Sequence, residues 1–337
     1  MLKTTEQYAE TIESGSNIDI LSDVMRSLRI AGSILLSEDY APPWRIAIPE
    51  ADNLRGLLKL PRGVRVVDFH FVQRGHIVIK GEDGSEVIVA AGEMAICFGG
   101  RPHWIAQGEA DNSVCVETLL ASGNNLFEPG PEERARSASL ICGVFLMHNV
   151  ELNPLFASLP SVIHLSATRP VSYNLAGLLD QIAYEVREKP LGNHYVVERL
   201  LELLCAESLR AHLDSATVSR KNWFGGLKDP VVGRAISMIH SQPGADWTVD
   251  RLASQVTMSA SRFAARFTSA LGESPMAYVT KWRMNVARRM LQETRVPIGS
   301  IALEVGYENL PAFNRAFKKH LGVPPAAWRS VNTVTSE

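Results

Sequence analysis

Apolar positions recur with two different periods along this chain. From Val64 to Leu119 they come in short β-rich runs, VRVVDFHF, HIVIK, EVIVA, EMAICF, HWIA and SVCVETL. The breaks between the runs fall at Arg74-Gly75, Glu82 to Ser85, Ala91-Gly92, Gly99-Gly100 and Gly108 to Asn112. Many short strands joined by Gly-rich turns predict a barrel or sandwich. Further on, the period becomes helical. Leu175, Leu178, Leu179, Ile182 and Val186 form one stripe, and Val197, Leu200, Leu201, Leu204 and Leu213 form another. Lys189-Pro190 and Gly192 lie between them, so a helical hairpin is expected over about 173–213. The second stripe has two readings, packing within the chain or facing a twin subunit in a homodimer. DSATVSRKNWFGGLKD, polar with a Gly pair, reads as a linker over 214–228, and the polar residues 1–16 read as a loose N-terminus.

The last hundred residues carry one pattern twice. Leu252, Ala253 and Val256 precede Phe263, Phe267, Leu271, Gly272, Pro275 and Tyr278, while Ile301, Ala302 and Val305 precede Phe313, Phe317, Leu321, Gly322, Pro325 and Trp328. The offset is 49 residues in the first part of the unit and 50 in the second, so the second copy holds one extra residue. Thr248 suits a helix N-cap, Pro297 suits a first helical position, and the i, i+4, i+8 spacing of the phenylalanines and leucine gives a second helix one buried face. Gly272 and Gly322 supply the left-handed residue that ends it. Two helix-turn-helix units are therefore expected, over about 248–272 and 297–322. Ser274 and Pro275 begin a longer connecting helix to about Glu293, able to hold the two units near one turn of B-DNA apart, about 34 Å.

Charge changes the picture once the chain is divided. Residues 229–330 hold 13 Lys or Arg against 7 Asp or Glu, a net +6, whereas residues 1–228 carry a net −7. The positions facing away from the phenylalanines are Ser261, Arg262, Ala265 and Thr268, with Ala264 at the edge, and in the second copy Pro311, Arg315 and Lys318, flanked by Asn314 and Lys319. Arg283, Arg288, Arg289, Arg315, Lys318 and Lys319 are the expected phosphate contacts. A helical protein-binding bundle is the competing reading, against which two copies in register on a basic background weigh.

These residues carry a resemblance. The stretch from Asp229 to Arg329, above all IALEVGYENLPAFNRAFKKHLGVPPAAWR, resembles the DNA-binding domain of AraC/XylS transcriptional regulators. The resemblance places Ser261, Arg262, Ala264 and Ala265 at base-reading positions in one major groove, and Leu310, Pro311, Asn314 and Arg315 in the next. It implies binding to promoter double-stranded DNA, activation of transcription and an encounter with RNA polymerase. Two alanines on the first reading helix can touch a thymine methyl but make no bidentate hydrogen bond, so polar readout there rests on Ser261 and Arg262.

In the strand-rich half, GEMAICFGGRPHWIAQ resembles the second cupin motif, with Gly92, Gly100 and His103 in place but Phe98 and Gln107 where Pro and Asn are usual. The first motif is poorer: His70 stands as a remnant, Val72 occupies the place of a second His, and no Glu follows at ligand spacing. A metal centre generally needs three or four ligands, so no catalytic residue, metal site or cofactor is assigned. The resemblance implies a cupin-type sensory domain for a small-molecule effector. Trp44, His70, His103 and Trp104 are the candidate pocket residues, and Phe69 and Phe71 are further candidates to line it. His70, His76 and His103 have structural, ligand-contact and metal readings, with His76 expected to be exposed beside Gly75.

The four cysteines, Cys97, Cys115, Cys142 and Cys205, form no CxxC pair. Buried packing is the expectation for each, with Cys97, Cys115 and Cys142 kept as redox candidates. Without a secretory pattern at MLKTTEQYAE or an apolar run near 18 residues, a cytoplasmic protein with no membrane partner is expected. The reading that follows is an α+β multidomain, non-enzymatic regulator. Residues 17–213 form a cupin-like β-barrel with a helical hairpin, and residues 229–330 form an all-α double helix-turn-helix domain. A thiol-based redox regulator and a metal-dependent cupin enzyme with a DNA-binding tail are the alternatives.

Overall fold

The computed structural model describes residues 20–61, 63–148, 150–166, 173–214 and 222–332. The expected loose N-terminus, residues 1–16, and residues 215–221 of the expected linker lie outside them; the rest of that stretch is not linker throughout, because Trp223–Lys228 forms a helix whose Trp223 and Phe224 are buried. The described residues divide into two compact units: Leu28–Val150 with Phe156–Val218, and a second unit of the residues up to Ser27, Glu151–Leu155 and the chain from Asn222 onward.

The first unit is built on two five-stranded sheets. Its strands are β1 (Ile30–Tyr40), β2 (Trp44–Ile48), β3 (Val64–Arg74), β4 (His76–Gly81), β5 (Glu86–Ala90), β6 (Glu93–Cys97), β7 (His103–Gln107), β8 (Val114–Cys115), β9 (Ala138–His148) and β10 (Ile163–Ser166). One sheet has the order β1-β9-β3-β6-β10 and the other β5-β4-β7-β2-β8. Neighbours are antiparallel except β2 and β8. Val66, Val72, Ala95, Leu140 and Val144 of the first sheet share one core with Ile46, Ile77 and Ile105 of the second. Strand β3 lies mid-sheet and reads as an almost unbroken apolar run because nearly all of it is buried. Gly143 of β9 is required by close approach: a Cβ there would sit 2.5 Å from the Ser33 carbonyl oxygen and 2.6 Å from the Phe69 ring.

Short helices α1 (Ile20–Arg26), α2 (Ala51–Leu57) and α3 (Val116–Ser122) precede the hairpin of α4 (Tyr173–Glu188) and α5 (Asn193–Asp214). Leu175, Leu179 and Ile182 are buried, as are Val197, Leu201 and Leu204, and α5 lies on β1. The second stripe thus packs largely within the chain.

The second unit holds α6 (Trp223–Lys228), α7 (Pro230–Ser241), α8 (Val249–Gln255), α9 (Ala260–Leu271), α10 (Pro275–Glu293), α11 (Ile298–Glu304), α12 (Leu310–Leu321) and α13 (Pro325–Asn332). Two pieces expected in the sensory half pack here instead. Helix α1 contacts α7, and Leu152 is buried among Met284, Ala287, Leu291, Ile301 and Phe313. Asn153 donates through Nδ2 to the Val24 carbonyl at 2.9 Å and to Ser27 Oγ at 2.8 Å.

Candidate nucleic-acid interface and barrel cluster

The two helix-turn-helix units repeat at atomic detail. Thr248 Oγ1 accepts from Arg251 N to cap α8, and Asn309 Oδ1 accepts from Ala312 N to cap α12. Pro297 itself is the N-cap of α11, one position before the first-turn place expected for it. In the turns, Met258 N donates to the Ala253 carbonyl and Tyr307 N to the Ala302 carbonyl. Gly272 and Gly322 close α9 and α12 with φ of 78° each. Phe263, Phe267, Phe313 and Phe317 are fully buried. That fixes the opposite faces: Ser261, Arg262, Ala265 and Thr268 on α9, and Leu310, Pro311, Asn314, Arg315, Lys318 and Lys319 on α12, are exposed, with Ala264 half-buried.

Two of the expected phosphate contacts are corrected. Arg288 is buried on the inner side of α10, donating to Asn285 Oδ1 at 2.7 Å and lying 3.7 Å from Glu151, and burial pulls its guanidinium down to about 10. Arg283 is turned into the protein, donating to the carbonyls of Pro243, Ala245 and Gly306 and lying over Tyr307. It ties the loop before α8 to the turn after α11. Arg289 is half-buried, while exposed Arg251 and Arg295 are cations that the helical pattern did not single out. Among the described residues, Arg262, Arg315, Lys318 and Lys319 make no ion pair.

In the first unit, the expected pocket residues separate. His103 and Trp104 are consecutive on β7 and face opposite sides. Trp104 lines a depression of about 220 Å³ with Arg45, Lys80 and Glu86. Trp44 is core, edge-on to Tyr40 at 5.2 Å, and Phe69 stacks on Phe145 at 4.7 Å. Phe71 is buried and His76 exposed. His70 and His103 do meet, with their Nε2 atoms 3.4 Å apart. Asp68 Oδ2 lies 3.1 Å from His70 Nε2 and 3.2 Å from His103 Nε2, and Cys97 Sγ lies 3.7 Å from His103 Nε2. One ligand atom from each of these four buried residues lies within 4.8 Å of the others, a set able to hold a metal ion. Sequence reasoning missed Asp68, although its two-residue spacing from His70 in a strand puts both on one face. A cavity of about 410 Å³ adjoins the cluster, lined by Cys97, His103, Gly99, Gly100, Val87 and Val162 among others.

Burial alone would raise the Asp68 carboxyl, but the charge of His103 and hydrogen bonds with both imidazoles hold it below the carboxylate range. Burial pulls His70 down; at His103 burial is outweighed by the Asp68 carboxylate, which pulls it up. Burial, with the Asp68 charge, pushes the Cys97 thiol well up and Cys142 up to about 12, and burial pushes Cys205 up as well. These are protonated, poorly nucleophilic thiols. Cys115, expected in an apolar strand interior, is exposed at the end of β8.

Comparison with known proteins separates a cupin part from a helix-turn-helix part, with Ile20–Ser27 and Glu151–Leu155 falling inside the cupin match although they pack in the helical unit. A cupin family model matches residues 19–214 and a helix-turn-helix domain model matches residues 252–330. The chain is 31% identical to a putative AraC-like transcription regulator of Streptomyces lividans, over 80% of this chain and 88% of that one. It is 28% identical to the HTH-type transcriptional regulator AlkR of Acinetobacter baylyi, over 75% of this chain and 86% of that one. It is 29% identical to the RCS-specific HTH-type transcriptional activator RclR of Escherichia coli, over 71% and 86% respectively. The duplicated units and these relatives define a DNA-binding transcriptional regulator with a cupin domain. The chain belongs to the AraC family of such regulators.

Proposed function

We propose that this regulator activates transcription at promoters whose two short elements are read by α9 and α12, and that its cupin domain adjusts this in response to a small molecule. The observation that carries the reading is the pair of equivalent helices, each buried through two phenylalanines and each leaving a polar, cationic face exposed. Ser261, Arg262, Ala264, Ala265 and Thr268 serve one groove; Leu310, Pro311, Asn314, Arg315, Lys318 and Lys319 serve the next. Activation is supported by the resemblance and by the Escherichia coli relative being a transcriptional activator, and an activator's partner at the promoter is RNA polymerase. The cavity of about 410 Å³ is of a size that takes small ligands. An effector acts by favouring one state of the protein, with coupling of about 1–3 kcal/mol.

The protein acts in the cytoplasm as a non-enzyme. No helix among the described residues is long and apolar enough to cross a membrane. A homodimer through the helical hairpin is part of the proposal, with exposed Tyr195, Val196 and Leu203 on α5 as its contact. The raised thiols of Cys97 and Cys142 weigh against redox sensing through them.

The test is selection of sheared genomic DNA by the purified chain near physiological salt, followed by sequencing. A few retained intergenic sites sharing two elements about 10 base pairs apart are expected. Uniform retention that vanishes as salt rises would reduce the protein to a non-specific binder.

A further inference from the structure

We propose that Asp68, His70, Cys97 and His103 form a four-ligand site for a divalent d-block ion, zinc being the ion their donor set fits best. This goes beyond the regulator reading and does not depend on it. The sequence shows two histidines, too few for a site; the fold adds the other two donors. Asp68 and His70 project from one face of β3, Cys97 ends β6 directly opposite Asp68 in the ladder, and His103 opens β7 in the other sheet.

The spacing fits a tetrahedron. Bonds of about 2.0–2.1 Å to nitrogen or oxygen and about 2.3 Å to sulfur give tetrahedral edges of about 3.3–3.6 Å. Four of the six edges are 3.1, 3.2, 3.4 and 3.7 Å, and the two from Cys97 Sγ to Asp68 and His70 lie within 4.8 Å, so the sulfur has a short distance to close on an ion. The hydrogen bonds behind the imidazoles orient them as ligands. His103 Nδ1 lies 3.1 Å from the Arg101 carbonyl oxygen, an acceptor that requires an N–H there, so once the ring gives up its second proton to an incoming ion the Nε2 lone pair faces the cluster. His70 Nδ1 lies 3.2 Å from Cys142 Sγ, and when Nδ1 carries the ring proton and donates to that sulfur, the Nε2 lone pair is left to the cluster. Two lone pairs, a carboxylate oxygen and a sulfur then converge in a buried space. A proton satisfies one line between two of these atoms; a cation satisfies all four together. Binding would release the Cys97 proton, since a coordinating thiol is deprotonated whatever burial does to it in the free state. The set of two nitrogens, one sulfur and one oxygen suits zinc better than magnesium or calcium, which take oxygen ligands. The adjoining cavity, lined by Cys97 and His103, gives an ion a path to the site.

The experiment uses the full chain, stripped with a chelator and titrated with Zn²⁺ against a chromophoric competitor, then separately with Co²⁺. One ion per chain is expected, and Co²⁺ should give the near-ultraviolet sulfur-to-metal charge-transfer band of a thiolate ligand together with tetrahedral d–d absorption. Cys97→Ser should abolish the charge-transfer band. Cys142→Ser, which changes the contact behind His70 and leaves all four ligands in place, should keep the band and weaken affinity by no more than about 10- to 100-fold. Failure of the wild-type chain to take up stoichiometric metal would overturn the site. So would uptake without a charge-transfer band, or a band that persists in Cys97→Ser. If Cys97→Ser does not fold, the other three cysteines decide by elimination: the band must survive in Cys115→Ser, Cys142→Ser and Cys205→Ser, and its loss in Cys115→Ser or Cys205→Ser overturns the assignment.

Discussion

Arg262 and Arg315 stand at different places on their reading helices. The offset of 50 residues carries Arg262 onto Ala312 and Ala265 onto Arg315, so on the proposed reading the two grooves would be addressed from different turns. Arg315→Ala is expected to weaken promoter binding by about 1–3 kcal/mol and to relax preference at one base pair if it reads a base. Fluorescence anisotropy against a set of single-base variants at fixed salt separates that from a phosphate contact, which would lose affinity uniformly. The cation positions also show the limit of helical periodicity. Arg288 falls on the buried side of α10 because Leu152 and Glu151 cover that side, a contact from over a hundred residues away. His240 was not conspicuous in the sequence. It stacks on Trp282 with centroids 3.6 Å apart, and its Nε2 lies 2.8 Å from the Tyr278 hydroxyl, which accepts from Trp223 Nε1. Burial pulls it down to about 3. The unfolded chain, with the ordinary value near 6.5, therefore binds the proton first. Its contribution to stability is complete above about pH 6.5 and falls as pH drops toward 3, by at most about 1.4 kcal/mol per pH unit. Urea unfolding at about pH 7 and about pH 5 should show a larger loss for the wild-type chain than for His240→Gln; equal losses would remove His240 from the account.

At the level of the element, the two turns solve one problem differently. Thr257 and Gly306, separated by 49 residues, both take the left-handed conformation, with φ of 57° and 83°. A β-branched residue is strained there, by about 1–2 kcal/mol, so Thr257→Gly is expected to be neutral or slightly stabilising. Gly306 cannot make the reverse change. A Cβ at that position would sit 2.7 Å from an Arg283 guanidinium nitrogen and 2.8 Å from the Gly244 carbonyl oxygen. Gly306→Ala should therefore cost about 1–3 kcal/mol, with reduced DNA binding because the Arg283 tie must shift. Chemical denaturation of both variants checks the pair; a Gly306→Ala protein as stable as wild type would contradict the close packing. The duplicated pattern made both turns visible in the sequence. Which one has space for a side chain depends on Arg283, whose partners come from two loops.

At the level of the whole molecule, the second unit is not a contiguous stretch of sequence. Leu152 contributes to its core although it follows the last long strand of the first unit. Leu152→Ala is expected to destabilise the helical unit by about 2–5 kcal/mol. Hydrogen exchange should show the loss in α10, α11 and α12 rather than in β3 or β9. A fragment of residues 229–337 lacks Leu152 as well as α1, and is expected to unfold at lower denaturant than the same helices in the full chain. Equal stability of fragment and full chain would mean that these segments pack without supporting the fold.

The sequence by itself determined the two kinds of architecture, the repeat and the faces of the reading helices. These follow from local periods of 2 and 3.6 residues, helix caps and terminal glycines, all of which act within a few residues. Tertiary structure alone decided which histidine, aspartate and cysteine side chains meet, which arginines remain at the surface, and which distant segment completes the helical core. Those outcomes depend on strands β3, β6 and β7 meeting across two sheets and on Glu151–Leu155 packing beside α10. No local period encodes either arrangement, because each contact is fixed by packing between parts of the chain far apart in sequence.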